Sequence, residues 1–98
     1  MAFKFTDESD RFFDAVLSLK TREECRNFFE DICTIKEIQD LQQRLTVAEM
    51  LADGRVYSEI TEKTGASAAT ISRVNKCLTY GSNGYKTVLE RLKESEKK

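Results

Sequence analysis

The chain has 98 residues, 40% of them hydrophobic and 34% charged, with no proline and a formal net charge of −1, which fits one globular helical domain. No apolar run approaches the ~20 residues that cross a bilayer. Lys4, Asp7, Glu8, Asp10, Arg11 and Asp14 break up the stretch a secretory leader would need apolar, so a cytoplasmic location is expected.

Along the chain, Thr6 or Asp7 opens a helix whose Phe12, Val16 and Leu19 recur at i, i+4, i+7, with Phe13 and Leu17 widening the stripe. Thr21 and Glu24 form a T-x-x-E capping box and start a helix carrying Cys25, Phe28, Phe29, Ile32 and Cys33 on one face. Phe12, Phe13, Phe28 and Phe29 read as core residues that pack across two copies of the chain rather than as a ligand pocket. A second copy helps because a chain this short buries only about two-thirds of its unfolded surface. Thr34 and Glu37 repeat the box and launch the longest helix, about Ile35 to Asp53. Its Ile38, Leu41, Leu45, Ala48 and Ala52 follow one face, Met50 and Leu51 extend burial, and Gly54 closes it as C′. Residues from about 6 to 53 are thus expected to build a dimer.

Residues 56–78 read as a helix-turn-helix: a helix over Tyr57–Thr64, a turn at Gly65, an N-cap at Ser67, and a second helix to about Leu78. Ile60, Ile71 and Val74 can meet in one small core. That leaves Ser67, Ala68, Ala69 and Thr70 facing outward at the helix start, with Ser72 and Arg73 following, and short side chains there let a helix enter the major groove of double-stranded DNA. Charge follows the same division. Residues 1–54 hold 7 Lys/Arg against 12 Asp/Glu, a balance of −5, and residues 55–98 hold 9 against 5, a balance of +4. Phosphate neutralisation needs the basic half to carry the reading helix. A turn over Thr79–Gly84 and a last helix, about 84–95, with Tyr85, Val88, Leu89 and Leu92 on one face complete an all-α fold of about six helices.

Without histidine, and with Cys25, Cys33 and Cys77 lacking C-x-x-C spacing, neither a metal site nor Cys-His catalysis is expected, and no cofactor. A phosphate-binding glycine loop is missing too, so the chain does not read as an enzyme. The alternative to a DNA-binding regulator is a helical dimeric module that binds a protein or metabolite, supported by the near-neutral charge.

The stretch GASAATISRVNKCL resembles the turn and recognition helix of the Trp repressor family, and LQQRLTVAEMLADG resembles that family's long helix, a similarity covering roughly residues 30–94. It implies an intertwined homodimer of six-helix subunits reading a palindromic operator, with no membrane association. It also implies an effector pocket in which Thr34, Arg44 and Arg73 hold a tryptophan backbone and sandwich its indole. Two departures stand out: Val74 replaces a small glycine, and Cys77 replaces a serine that meets the ligand's amino group. Weak tryptophan binding is therefore expected, and any other small-molecule effector is left open. The family's basic phosphate contacts would fall near Ser58 and Thr61, which are not basic; Arg55, Lys63 and Lys76 can substitute.

Overall fold

Hydroxyl side chains start four of the six helices in the computed structural model, which describes residues 3–97. The first helix, α1, covers Asp7–Leu17, and Thr6 Oγ1 accepts from the Ser9 N–H at 3.2 Å while Ser9 Oγ accepts from the Thr6 N–H at 3.2 Å. Each such cap satisfies helix-end donors that have no partner within the helix. The next, α2, covers Arg22–Ile32. Thr21 Oγ1 accepts from the Glu24 N–H at 3.1 Å, but the Glu24 carboxylate reaches back to the Lys20 N–H at 2.8 Å. The expected box has therefore slipped one residue outward on its return bond. At α3, Ile35–Ala52, the box is complete: Glu37 N–H donates to Thr34 Oγ1 at 3.1 Å and Thr34 N–H to Glu37 Oε1 at 2.8 Å.

Helix ends follow from glycine and from hydroxyls. Gly54, at φ 82°, donates its N–H to the Leu51 carbonyl at 3.0 Å, and Arg55 N–H reaches the Met50 carbonyl at 3.0 Å. This paired closure is a Schellman motif. Helix α4, Tyr57–Thr64, ends at Gly65, φ 76°, whose N–H meets the Thr61 carbonyl at 2.8 Å. The N-terminal helix stops earlier than its apolar spacing predicts: the Ser18 hydroxyl donates to the Ala15 carbonyl at 2.6 Å, and Leu19 falls outside α1. Cys33 is likewise outside α2, as its extended C-cap.

Helix α5 covers Ala68–Tyr80 and α6 covers Gly84–Glu96, so the expected turn over Thr79–Gly84 shrinks to its centre. Thr79 stays helical, with its hydroxyl on the Asn75 carbonyl at 3.0 Å, because nothing before Gly81 breaks the helix. Gly81 is needed there: a Cβ on it would run into the backbone carbonyl of Cys77.

The chain divides into two compact units, one up to Ile38 and one from Gln39 onward. The second holds the core: Val47, Ala48, Ile60, Ala66, Ile71, Val74 and Leu89 are buried, with Leu45, Met50, Leu51, Leu78 and Tyr85 packed around them. Burying each large aliphatic side chain contributes about 1.5–3 kcal/mol. The face expected of α3 is only partly right, since Val47 and Ala48 are buried while Leu41 and Ala52 are exposed. In the first unit no residue of α1 or α2 is fully buried. Its six phenylalanines instead form an unbroken run of ring contacts. Centroids lie 5.0 Å apart for Phe3–Phe5, 5.9 Å for Phe5–Phe13 and 5.5 Å for Phe12–Phe13. The run continues at 6.3 Å for Phe12–Phe28 and 5.5 Å for Phe28–Phe29. Phe3 and Phe5 remain largely exposed, and Phe13 about half so.

The Gly65 turn yields a direct prediction. A Cβ there would meet nothing within 4 Å, so any penalty comes from the left-handed backbone alone. Gly65→Ala should cost about 1–2 kcal/mol in urea unfolding; an unchanged midpoint would show that the turn relaxes freely.

Candidate nucleic-acid interface and effector pocket

The α4–turn–α5 pair is fixed by packing at its hinge and by side-chain hydrogen bonds. Ile60, Ile71 and Val74 are buried together, as their spacing around Gly65 predicts. Ala66, inside the turn, is buried as well, a core position that helical periodicity could not find because it lies in no helix. Thr64 Oγ1 donates to the Ile60 carbonyl at 2.7 Å and accepts from the Ala66 N–H at 3.1 Å. Gln43 of α3 donates its side-chain amide to the Thr64 carbonyl at 3.1 Å, which ties α4 to the long helix.

On α5 the candidate DNA-facing residues lie on one side. Ala68, Ala69, Ser72, Arg73 and Lys76 are all exposed and span about 140° of the helix surface at 100° per residue. Ile71, Val74 and Leu78 occupy the opposite side. Ser67 and Thr70 are hydrogen-bonded to each other at the helix start. Ser67 Oγ accepts from the Thr70 N–H at 3.1 Å and pairs with the Thr70 hydroxyl at 3.1 Å, and Thr70 is half-buried. Their first task is to start the helix.

The auxiliary basic residues differ. Arg55 forms an ion pair with Glu59 at 3.3 Å across the first turn of α4. Both side chains are well exposed, so the pair contributes little and a phosphate could displace the carboxylate. Lys63 is exposed in the last turn of α4, beside a polar cavity of about 560 Å³ that Gln39, Gln43 and Thr64 also line.

Of the expected effector residues, Arg44, Arg73, Val74 and Cys77 belong to the second unit. Val74 is a core residue, 2% exposed. Thr34 belongs to the first unit, where its hydroxyl and N–H are both engaged with Glu37. Half-buried Tyr85 of α6 lies within electrostatic reach of Arg44, Arg73 and Cys77. Burial raises its phenol above the usual value, while Arg44 and Arg73 pull it back and Cys77 adds to the rise. The sequence marked Tyr85 only as an apolar position; that it follows a tight turn at the end of α5 was the available clue. A second cavity, about 610 Å³, lies among Leu51, Leu78, Leu89 and Leu92, with Glu49 and Lys93 at its edges. Neither cavity is lined by Arg44, Arg73, Val74 or Cys77. Among the described residues no cluster of three or more His, Cys, Asp or Glu could hold a metal, and no helix is long and apolar enough to cross a membrane.

Residues 7–93 match the family model described as Trp repressor protein, so the match takes in the first two helices, beyond the stretch whose motifs were legible. The uncharacterised protein YerC of Bacillus subtilis (strain 168) is 56% identical over 89 residues, covering 91% of this chain and 86% of that one. A crystal structure of a TrpR-like protein from Eubacterium eligens superposes with a TM-score of 0.86 at 56% identity, covering 89% of this chain and 90% of that one. A candidate Trp repressor from Staphylococcus aureus gives a TM-score of 0.88 at 47% identity, covering 91% and 89%.

Proposed function

Because the chain belongs to the Trp repressor family, we propose that it is a dimeric, sequence-specific DNA-binding regulator that reads a palindromic operator with α5. The observation that carries this reading is the stripe Ala68, Ala69, Ser72, Arg73 and Lys76, small at the helix start and basic further on. Small residues let the backbone approach base edges, and the two cations are suited to phosphate. A second feature points the same way. Helices α1 to α4 each carry an acid in the first turn, while α5 and α6 carry none. Acidic side chains are favoured at that positive helix end, and so are phosphates. An α5 without them leaves its N-terminus open to the DNA backbone. In this reading the regulator is a repressor that occludes a promoter.

Dimerisation is supported by the first unit, whose run of phenylalanines is short of cover and gains it from a second copy. Two copies set the reading helices one helical turn apart on a two-fold operator. Tryptophan is not the effector in this account, because Val74 is built into the core.

Lys76 gives the sharpest test of a phosphate contact. Lys76→Ala should weaken binding to all sequences about equally and lower the slope of log affinity against log salt by about 0.9. A changed sequence preference would instead make Lys76 a base-reading residue. The near-neutral net charge and the uncharged Ser58 and Thr61 favour the second reading, a dimeric interaction module. Salt titration separates the two, since only a DNA binder loses affinity steeply as salt rises.

A further inference from the structure

The cavity of about 610 Å³ in the second unit lies where the last turns of α3 and α5 meet one side of α6. Small-molecule sites occupy about 300–1,000 Å³, so its size suits a ligand. Leu51, Leu78, Leu89 and Leu92 supply apolar wall, and Leu89 is itself part of the buried core. The charge along its lining is uneven. Glu49, Asp53, Glu90 and Glu96 contribute four carboxylates against the two ammoniums of Lys86 and Lys93. Two helix ends act in the same sense, because neither α3 nor α5 has a basic residue in its last turn. Carbonyls at a helix C-terminus carry the negative end of its dipole and favour a cation. An apolar lining in a negative field suits a molecule with an apolar body and one positive charge. Asn75, Leu78 and Thr79 of the lining belong to α5, so an occupant bears directly on that helix. Arg44, Arg73, Val74 and Cys77 take no part in it.

We propose that this cavity binds a small amphipathic cation, an apolar body carrying one ammonium group, and that its occupant tunes DNA binding through α5. The tuning rests on α5 being the DNA-reading helix; the binding does not. The apolar body lies against the four leucines, and the ammonium meets the carboxylates and the two helix ends. An anion of the same shape is opposed by both, so the sign of the charge sets the selectivity.

The test uses the full chain and two probes that share one apolar body, 4-phenylbutylamine and 4-phenylbutyrate. Calorimetry on the wild type should show one amine bound per chain, with a Kd of about 1 mM or tighter, and the carboxylate about tenfold weaker or worse. That comparison needs no variant to fold. Glu49→Gln combined with Glu90→Gln, two exposed positions, should weaken the amine about tenfold. Ala52→Phe, which fills the cavity from an exposed position, should abolish amine binding. Equal binding of the two probes, amine binding unchanged in these variants, or no amine bound by the folded wild type would each overturn the proposal. So would a wild-type dimer that binds no amine and that Leu92→Glu splits into monomers, since a second copy would then cover the cavity. In a DNA-binding assay, saturating amine should shift wild-type affinity about fivefold or more and leave Ala52→Phe unmoved. Amine that binds without shifting affinity would refute the tuning. If the wild type binds no DNA at any salt, the regulator reading and the tuning fail together, and calorimetry alone decides the site.

Discussion

Ile71→Ala should lower stability by about 2–5 kcal/mol, against a total of about 5–15 kcal/mol for a domain of this size. Ile71 is fully buried and is among the largest side chains at the centre of the core, with Ile60, Val47 and Val74. Removing three carbons there forfeits their transfer free energy and leaves a cavity that α4 and α5 cannot both close on. These helices are held together by the side chains that meet in this core, so the loss falls on the α4–α5 pair itself. Urea unfolding followed by circular dichroism measures the effect, with Ile71→Val as the graded comparison at about 0.5–1.5 kcal/mol. A loss below about 1 kcal/mol for the alanine variant would mean that the core repacks around the gap.

Ala69→Glu should have the opposite signature, a stable protein that no longer binds DNA. Ala69 is exposed in the first turn of α5, where a negative charge is favoured by about 0.3–1 kcal/mol. Glutamate is nearly as good a helix former as alanine, so the propensity change is smaller than this gain. Thermal stability should therefore hold or rise slightly. On DNA the same carboxylate faces phosphates and base edges, and like-charge juxtaposition at an interface costs several kcal/mol. Specific affinity should fall roughly 100-fold or more, each factor of ten being about 1.4 kcal/mol. The pairing of the two readouts matters. A variant that loses both stability and binding has only unfolded the chain, and one that keeps its affinity removes Ala69 from the interface.

Much of the second unit was legible in the sequence because its signals are local. Gly54 and Gly65 mark helix ends by backbone conformation alone, and Ser67 and Thr34 mark helix starts by one hydroxyl each. Ile60, Ile71 and Val74 could be placed in one core because their distances from Gly65 fix which way they face. What was missed depends on contacts between elements. Ala66 is buried by both helices of the motif at once, and no periodicity reports that. The end of α5 extends past Leu78 to Tyr80, and Gly81, whose ψ of −161° is extended, ends it.

The first unit is the reverse case. Its periodicity marked the apolar faces of α1 and α2, yet no residue of those helices is fully buried. A stripe predicts that a face will be covered and is silent on what covers it. The candidate site divides along the same line. Exposure of Ala68, Ala69, Ser72, Arg73 and Lys76 agrees with the sequence reading, since it is the complement of the core face. The hydroxyl pairing of Ser67 with Thr70 and the Arg55–Glu59 ion pair are side-chain choices that residue type does not dictate.

The central claim, that α5 reads DNA as half of a dimer, is tested most directly by selecting bound sequences from a random duplex library with the purified chain. The account predicts enrichment of a palindrome whose half-sites lie about one helical turn apart, lost when the Ala69→Glu variant is used. Failure to enrich any sequence, at low salt and with the wild-type chain folded, would contradict it.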